Sequence, residues 1–128
     1  MQINQKPAIY KTLQDRFGIN WESGIIIAYY PNIYCKYALD DLKLVHENTH
    51  LEQQRLYGVE AWWERYLEDP NFRTLQEAEA YKNEADFAKK IMRDRNKLAR
   101  YIDRIAKDLS SSIYGNIVTY SQARDLLK

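Results

Sequence analysis

Several features that would place this chain in a protein class are scarce or missing. Cys35 is the single cysteine, so no disulfide can form within the chain, which fits either a reducing compartment or a protein that is indifferent to redox conditions. No run of 18 apolar residues occurs, and residues 1–18 lack the apolar segment of a signal peptide. We therefore expect one soluble, cytoplasmic domain spanning residues 1–128, with no membrane partner.

An excess of charge of one sign is also absent. The chain carries 19 Lys and Arg against 18 Asp and Glu, a formal net charge of +1. Proteins that bind nucleic acids depend on clustered cations that neutralise phosphates. The overall balance therefore predicts no nucleic-acid partner.

Histidine is rare, yet both copies fall in one five-residue motif, His46-Glu47-Asn48-Thr49-His50. On a helix, residues four apart point the same way, so both imidazoles could reach one Zn²⁺ ion. Glu47 lies roughly 100° further around the helix, where its carboxylate could act on a metal-activated water as a general base. The alternative is that both histidines are solvated or capping residues on an ordinary amphipathic helix.

The remaining patterns predict a mostly helical α+β fold. We expect helices over residues 7–17, 40–57, 59–68, 70–109 and 122–127, and two short strands over residues 25–30 and 33–37. The helix beginning at Pro70 is predicted to be long, because no Gly or Pro follows and apolar residues recur at helical spacing to residue 109. Its charge-rich later half fits a solvated face or a partner-binding arm.

Turn and cap residues set the predicted boundaries. Gly18 and Gly58 are placed to end helices, and Asp69-Pro70 to begin one. Asp40 or Asp41 could cap the motif helix, and Ser121 the last helix, after a loop at 110–112 and 115–116. The first strand could flank a cleft and pair with an extended substrate, or the strands could simply cover one side of the core.

A catalytic zinc site normally has three protein ligands, and the motif supplies two. Since there is no third histidine and Cys35 falls in a predicted strand, a carboxylate in the segment 75–81 is the best candidate. Glu77 and Glu79 lie about 200° apart on a helix, so both cannot face one metal. Thr74-x-x-Glu77 also matches a capping box, in which Glu77 would only satisfy a helix start. On these grounds the third ligand could be Glu77, Glu79 or neither of them.

Two sequence segments together resemble a known family. His46-Glu47-x-x-His50-x-x-Gln-Gln, followed by DPNFRTLQEAEAY, is similar to the gluzincins, and most similar to small gluzincin-like proteins of phages and prophages. The resemblance covers about residues 38–88. It implies a compact, minimal zincin-like α+β domain with a small sheet above a central motif helix. It also implies Zn²⁺ held by His46, His50 and Glu77, with Glu47 as the catalytic base, in the cytoplasm of a host cell.

Two functions are compatible with these features. The first is a zinc metallopeptidase, a hydrolase acting on a peptide or protein substrate. The second is a non-catalytic interaction module, in which zinc stabilises the core and the long C-terminal helix binds a partner. Such a module could be an accessory protein of a phage.

Overall fold

The computed structural model of the chain describes residues 1–111 and 116–128. Over these residues it contains six α-helices and a three-stranded sheet, which confirms a mostly helical α+β architecture. The strands are β1 (Gln2–Ile3), β2 (Ile26–Tyr29) and β3 (Asn32–Cys35). The helices are α1 (Tyr10–Phe17), α2 (Asp41–Tyr57), α3 (Val59–Glu68), α4 (Pro70–Ile91), α5 (Arg95–Leu109) and α6 (Tyr120–Leu126), and a 3₁₀ turn spans Trp21–Ser23.

The sheet has the strand order β1-β3-β2. β2 and β3 form the predicted antiparallel hairpin, with Ile26 opposite Cys35 and Tyr29 opposite Asn32. β1 pairs in parallel with β3 and was not predicted. Two residues are too few to show an alternating pattern, and their pairing partner lies some 30 residues away along the chain.

Local capping signals place most helix ends as predicted. Gly18 adopts a left-handed conformation (φ 64°) and its N–H donates to Gln14 O, which ends α1. Asp40 caps α2 by accepting from the Lys43 N–H at 2.8 Å, and Gly58 ends that helix. Asp69 accepts from the N–H groups of Asn71 and Phe72, so α4 begins at Pro70.

The prediction of one continuous helix from residue 70 to 109 is wrong. The backbone leaves the helical region at Met92 (φ −89°, ψ 115°), and α5 restarts behind Asp94, whose carboxylate accepts from Asn96 N and Lys97 N. A straight helix of 40 residues would be about 60 Å long and would leave its apolar stripe in water. The break lets α5 fold back, so that Tyr101 and Ile105 join the same core as α4.

The C-terminal helix begins two residues earlier than predicted, at Tyr120 rather than at residue 122, and Ser121 is not its cap. Thr119 is the N-cap: its hydroxyl accepts from Gln122 N, and Gln122 Oε1 accepts from Thr119 N. The prediction of a loop at 110–112 and 115–116 falls partly on residues 112 and 115, which lie outside the described residues.

Two apolar clusters stabilise the fold on either side of α2 and α4. One joins α4, α5 and α6, and the other joins α1, β2 and α3 through aromatic side chains including Trp21, Trp62, Trp63 and Tyr66. None of the helices in the described part of the chain combines the length and apolar character needed to span a bilayer.

Candidate metal centre

The motif helix α2 lies along α4, and both histidines face that interface. Small residues of α4, above all Ala80 and Ala85, are completely buried there, so the two helix backbones can approach closely. His46 and His50 are only 6% and 4% exposed. Imidazoles buried this deeply require partners for both ring nitrogens.

Three donor atoms from these helices converge on one point. His46 Nε2 lies 3.2 Å from His50 Nε2, and Glu77 Oε1 lies 3.1 Å from the first and 3.2 Å from the second. The atoms form a nearly equilateral triangle. An ion with tetrahedral bonds of about 2.0 Å separates its ligand atoms by about 3.3 Å, so the triangle has the size of one face of such a site.

The opposite nitrogen of each imidazole is already engaged. His46 Nδ1 donates to Glu84 Oε1 at 3.0 Å, and His50 Nδ1 donates to Gln53 Oε1 at 2.9 Å. Because each neutral ring then carries its proton on Nδ1, both Nε2 atoms present lone pairs. With neutral rings, two lone pairs and a carboxylate oxygen therefore face one another, and either a proton on one ring or a metal ion at the centre would satisfy this arrangement.

Glu79, the competing candidate ligand, lies elsewhere. Its side chain is exposed, and its Oε1 accepts from Gln53 Nε2 at 2.9 Å. Gln53 Nε2 also donates to Gln76 O at 3.1 Å. These two acceptors fix the orientation of the Gln53 amide, so its oxygen must face His50. Glu79 thus orients a histidine through Gln53.

Glu77 is buried and held by a second contact. The Tyr66 hydroxyl donates to Glu77 Oε2 at 2.6 Å, which leaves Oε1 for the histidines. The capping-box alternative for Glu77 is wrong, because α4 begins at Pro70 and the Thr74 hydroxyl donates to Pro70 O. The structure therefore brings Glu77, His46 and His50 together, while the ligand role of Glu77 stays a prediction.

Glu47 stands beside the donor triangle without completing it. It is 6% exposed, and its Oε2 lies 4.0 Å from His46 Nε2, farther than Glu77 Oε1. Potential ligand atoms of His46, Glu47 and His50 all lie within 4.8 Å of one another, so this buried group could hold a metal ion.

The charges of the site favour a cation at its centre. Burial lowers the pKa of His46, but hydrogen bonds with Glu77 and Glu84 outweigh it and raise the value to about 10. For His50, burial is likewise outweighed by Glu77, which raises its pKa. Burial opposes ionisation of Glu77, yet the two imidazoles hold its pKa well below the usual range. A metal ion would supply the same positive charge while leaving both rings neutral, as ligation requires.

A cavity of about 100 Å³ opens beside the donor atoms. Apolar side chains of α1, β2 and α3 form much of its wall, including Leu13, Phe17, Ile27, Ala28, Trp62 and Trp63. The cavity gives a small molecule or a side chain room next to Glu47 and the two histidines.

The strand next to the site is partly closed to substrate pairing. Gln54 Nε2 donates to Ala28 O at 2.9 Å, and Trp63 Nε1 donates to the same oxygen at 3.2 Å. The Tyr30 N–H donates to Gln54 Oε1 at 2.7 Å. The Ala28 carbonyl and the Tyr30 N–H are therefore already engaged, and an extended peptide could pair with them only by displacing the Gln54 amide and the Trp63 indole.

Sequence reasoning missed most of the residues that orient the donors. Glu84 is completely buried, accepts a hydrogen bond from the Tyr101 hydroxyl, and lies 3.6 Å from Lys43 Nζ. One signal was available, since Glu84 follows Glu77 by seven residues and so shares its helix face. The roles of Tyr66 and Tyr101 had no such signal, because each comes from another helix.

The fold and the donor atoms define a class: a small α+β domain with a buried group of His and Glu side chains that could hold a metal ion. Comparison of the chain with protein-family models, curated proteins and solved structures gives no match.

Proposed function

We propose that the protein is a zinc-dependent peptidase with a minimal zincin-like fold, in which His46, His50 and Glu77 hold the metal. One observation carries the proposal: the two Nε2 lone pairs and Glu77 Oε1 form a triangle of 3.1–3.2 Å edges. A donor set of this kind, with two neutral imidazoles of His and one ionised carboxylate of Glu, is typical of catalytic zinc sites.

Each group near the candidate metal centre would have a separate role in peptide hydrolysis. Bound zinc would act as a Lewis acid that activates a water molecule and polarises a peptide carbonyl. Glu47, 4.0 Å from His46 Nε2, would accept the proton of the attacking water and return it to the leaving amine. Glu84 and Gln53 would hold the imidazoles in the tautomer that leaves Nε2 free for the metal. The apolar cavity would receive a substrate side chain.

The test is Glu47→Gln, assayed against a fluorogenic peptide library with metal content measured by mass spectrometry. Loss of the general base should lower the rate by at least about 100-fold while zinc remains at one per chain. The matched control is Glu52→Gln, an exposed carboxylate on the same helix, which should keep both rate and metal. A Glu47→Gln variant that cleaves at the wild-type rate would refute the mechanism, and one that loses zinc would make Glu47 a ligand.

A second function is favoured by one observation, the near-complete burial of the donors. If Glu47 supplied a fourth ligand, the site would be closed and the metal structural, as in an interaction module. X-ray absorption of the zinc-loaded protein separates the two. Three protein ligands and an exchangeable water support the peptidase, whereas four protein ligands support the structural role.

A further inference from the structure

The small net charge of the chain conceals a strong separation of charge. Residues 89–107 contain eight of the 19 Lys and Arg but only two of the 18 Asp and Glu. This segment therefore carries a formal charge of +6, and the rest of the chain carries −5. The segment comprises the end of α4, the break at Met92 and most of α5.

The cations of α5 are aligned on its outer face. Lys97, Arg100, Arg104 and Lys107 are all exposed and are spaced three, four and three residues apart. On a helix this spacing keeps four side chains within a sector of about 80°. The opposite face is buried in the core through Ile105 and Leu109. We call the four residues the basic stripe; it is about 15 Å long.

Among the described residues, the basic stripe forms an ion pair only at one end, and Asp108 lies near enough to Arg104 to interact with it electrostatically without an ion pair. Lys107 Nζ lies 3.0 Å from Asp103, which also accepts from the Tyr120 hydroxyl. Within residues 1–111 and 116–128, no carboxylate lies within 4.0 Å of the charged groups of Lys97, Arg100 or Arg104. The carboxylate of Asp94 is occupied in capping α5.

The surroundings of the basic stripe favour one kind of anionic partner. Among the described residues, none of the exposed large apolar side chains belongs to α5, and the exposed aromatic ring nearest the stripe, that of Tyr120, has its hydroxyl engaged by Asp103 at the Lys107 end. Protein partners and single-stranded nucleic acids need apolar or aromatic anchors, and interfacial membrane binding needs a free apolar helix face. A duplex needs only cations, since 15 Å of its axis carries about nine phosphates.

We propose that the basic stripe on α5 binds the phosphate backbone of duplex nucleic acid without reading its sequence. The proposal departs from the expectation, drawn from net charge, that the protein has no nucleic-acid partner, because a local surface rather than the whole-chain charge would contact the phosphates. Binding at this surface is independent of whether the metal centre is catalytic.

The test is fluorescence anisotropy of a labelled, mixed-sequence DNA duplex of about 20 base pairs with the full chain, over salt from about 50 to about 200 mM. We expect a dissociation constant in the range of about 10⁻⁴–10⁻⁶ M and a slope of log K against log salt between about −3 and −4, from some four phosphate contacts. Removing three of the contacts, in the triple variant Lys97→Gln, Arg100→Gln, Arg104→Gln, should reduce the slope to about −1 and the affinity by about 100-fold.

The matched control removes three exposed cations elsewhere, in the triple variant Lys6→Gln, Lys11→Gln, Arg55→Gln, and should bind like the wild type. Circular dichroism verifies that both triple variants are folded, and Arg100→Lys with Arg104→Lys keeps the charge and should keep the affinity. The proposal is overturned if the wild type does not bind, if the control loses as much affinity as the stripe variant, or if polyglutamate or anionic vesicles bind as tightly as the duplex.

Discussion

The most informative experiment compares the same substitution, Glu to Gln, at two positions of α4. Glu77 faces the two histidines, and Glu79 lies on a different side of the helix. Glu77 is 4% exposed and contacts both histidines, whereas Glu79 is exposed and contacts Gln53. Replacing each with Gln changes the same functional group by the same amount. We expect Glu77→Gln to weaken zinc binding by at least about 100-fold, since even partners that only orient a ligand are worth 10–100-fold. Glu79→Gln should weaken it by less than about tenfold, because the new amide oxygen still accepts from Gln53.

Because zinc would bind the folded chain, differences in zinc affinity should appear as differences in melting temperature. Zinc at about 100 times its wild-type dissociation constant stabilises the folded chain by about 2.7 kcal/mol, or about 11 °C at about 4 °C per kcal/mol for a domain of this size. At the same zinc concentration, Glu77→Gln would gain only about 0.4 kcal/mol, or about 2 °C. Glu79→Gln would still gain at least about 1.4 kcal/mol, or about 6 °C.

Scanning calorimetry with added zinc and with a chelator measures these shifts. Each variant is compared with its own chelated form, so any effect of the substitution on the fold itself cancels. Equal zinc-dependent shifts in the two variants, or a larger loss in Glu79→Gln, would refute the assignment of Glu77 as the ligand.

Two further predictions concern residues around the site and at a helix boundary. Glu84→Gln removes the charge that accepts from His46 Nδ1, and we expect zinc affinity measured by chelator competition to fall about 10–100-fold; a loss below about threefold would show that the Glu84 charge does not support the site. The Asp69 cap should make stability depend on acid pH, because hydrogen bonds from the N–H groups of Phe72 and Asn71 lower its pKa below the ordinary 3.8. The ionised Asp69 carboxylate stabilises the folded chain fully above the ordinary pKa of 3.8, and this stabilisation is lost as the pH falls through the lower pKa of the folded state. The difference in melting temperature between the wild type and Asp69→Ala should therefore shrink below about pH 4 and stay constant above about pH 5. A difference that grows on acidification would contradict this.

The parts of the fold that could be predicted are those with local signals. Gly58 ends α2 and Asp69 with Pro70 begins α4, because a glycine with a positive φ and a proline act on their own few residues. That His46 and His50 face the same way was predictable for a similar reason, because helical periodicity orients side chains once the helix is known. Periodicity did not select Glu77 over Glu79, and only the family resemblance implied Glu77.

The parts that could not be predicted depend on contacts between distant segments. No Gly or Pro marks the break at Met92, and Asp94 is an ordinary charged residue until the chain bends there. The hydrogen bond from Tyr66 to Glu77 joins α3 to α4, and the bond from Tyr101 to Glu84 joins α5 to α4. A single sequence contains no periodicity that links residues of different helices.

The missed break and the metal centre are connected. Because the chain turns back after α4, Tyr101 reaches Glu84, and Glu84 in turn accepts from His46 Nδ1. Docking of α5 therefore helps to fix the tautomer and orientation of a candidate ligand from a helix that contributes no ligand itself. The same helix exposes the basic stripe on its outer face. One side of α5 thus supports the metal centre while the other remains free for a partner, so the two surfaces can be altered separately by substitutions on opposite faces of a single helix.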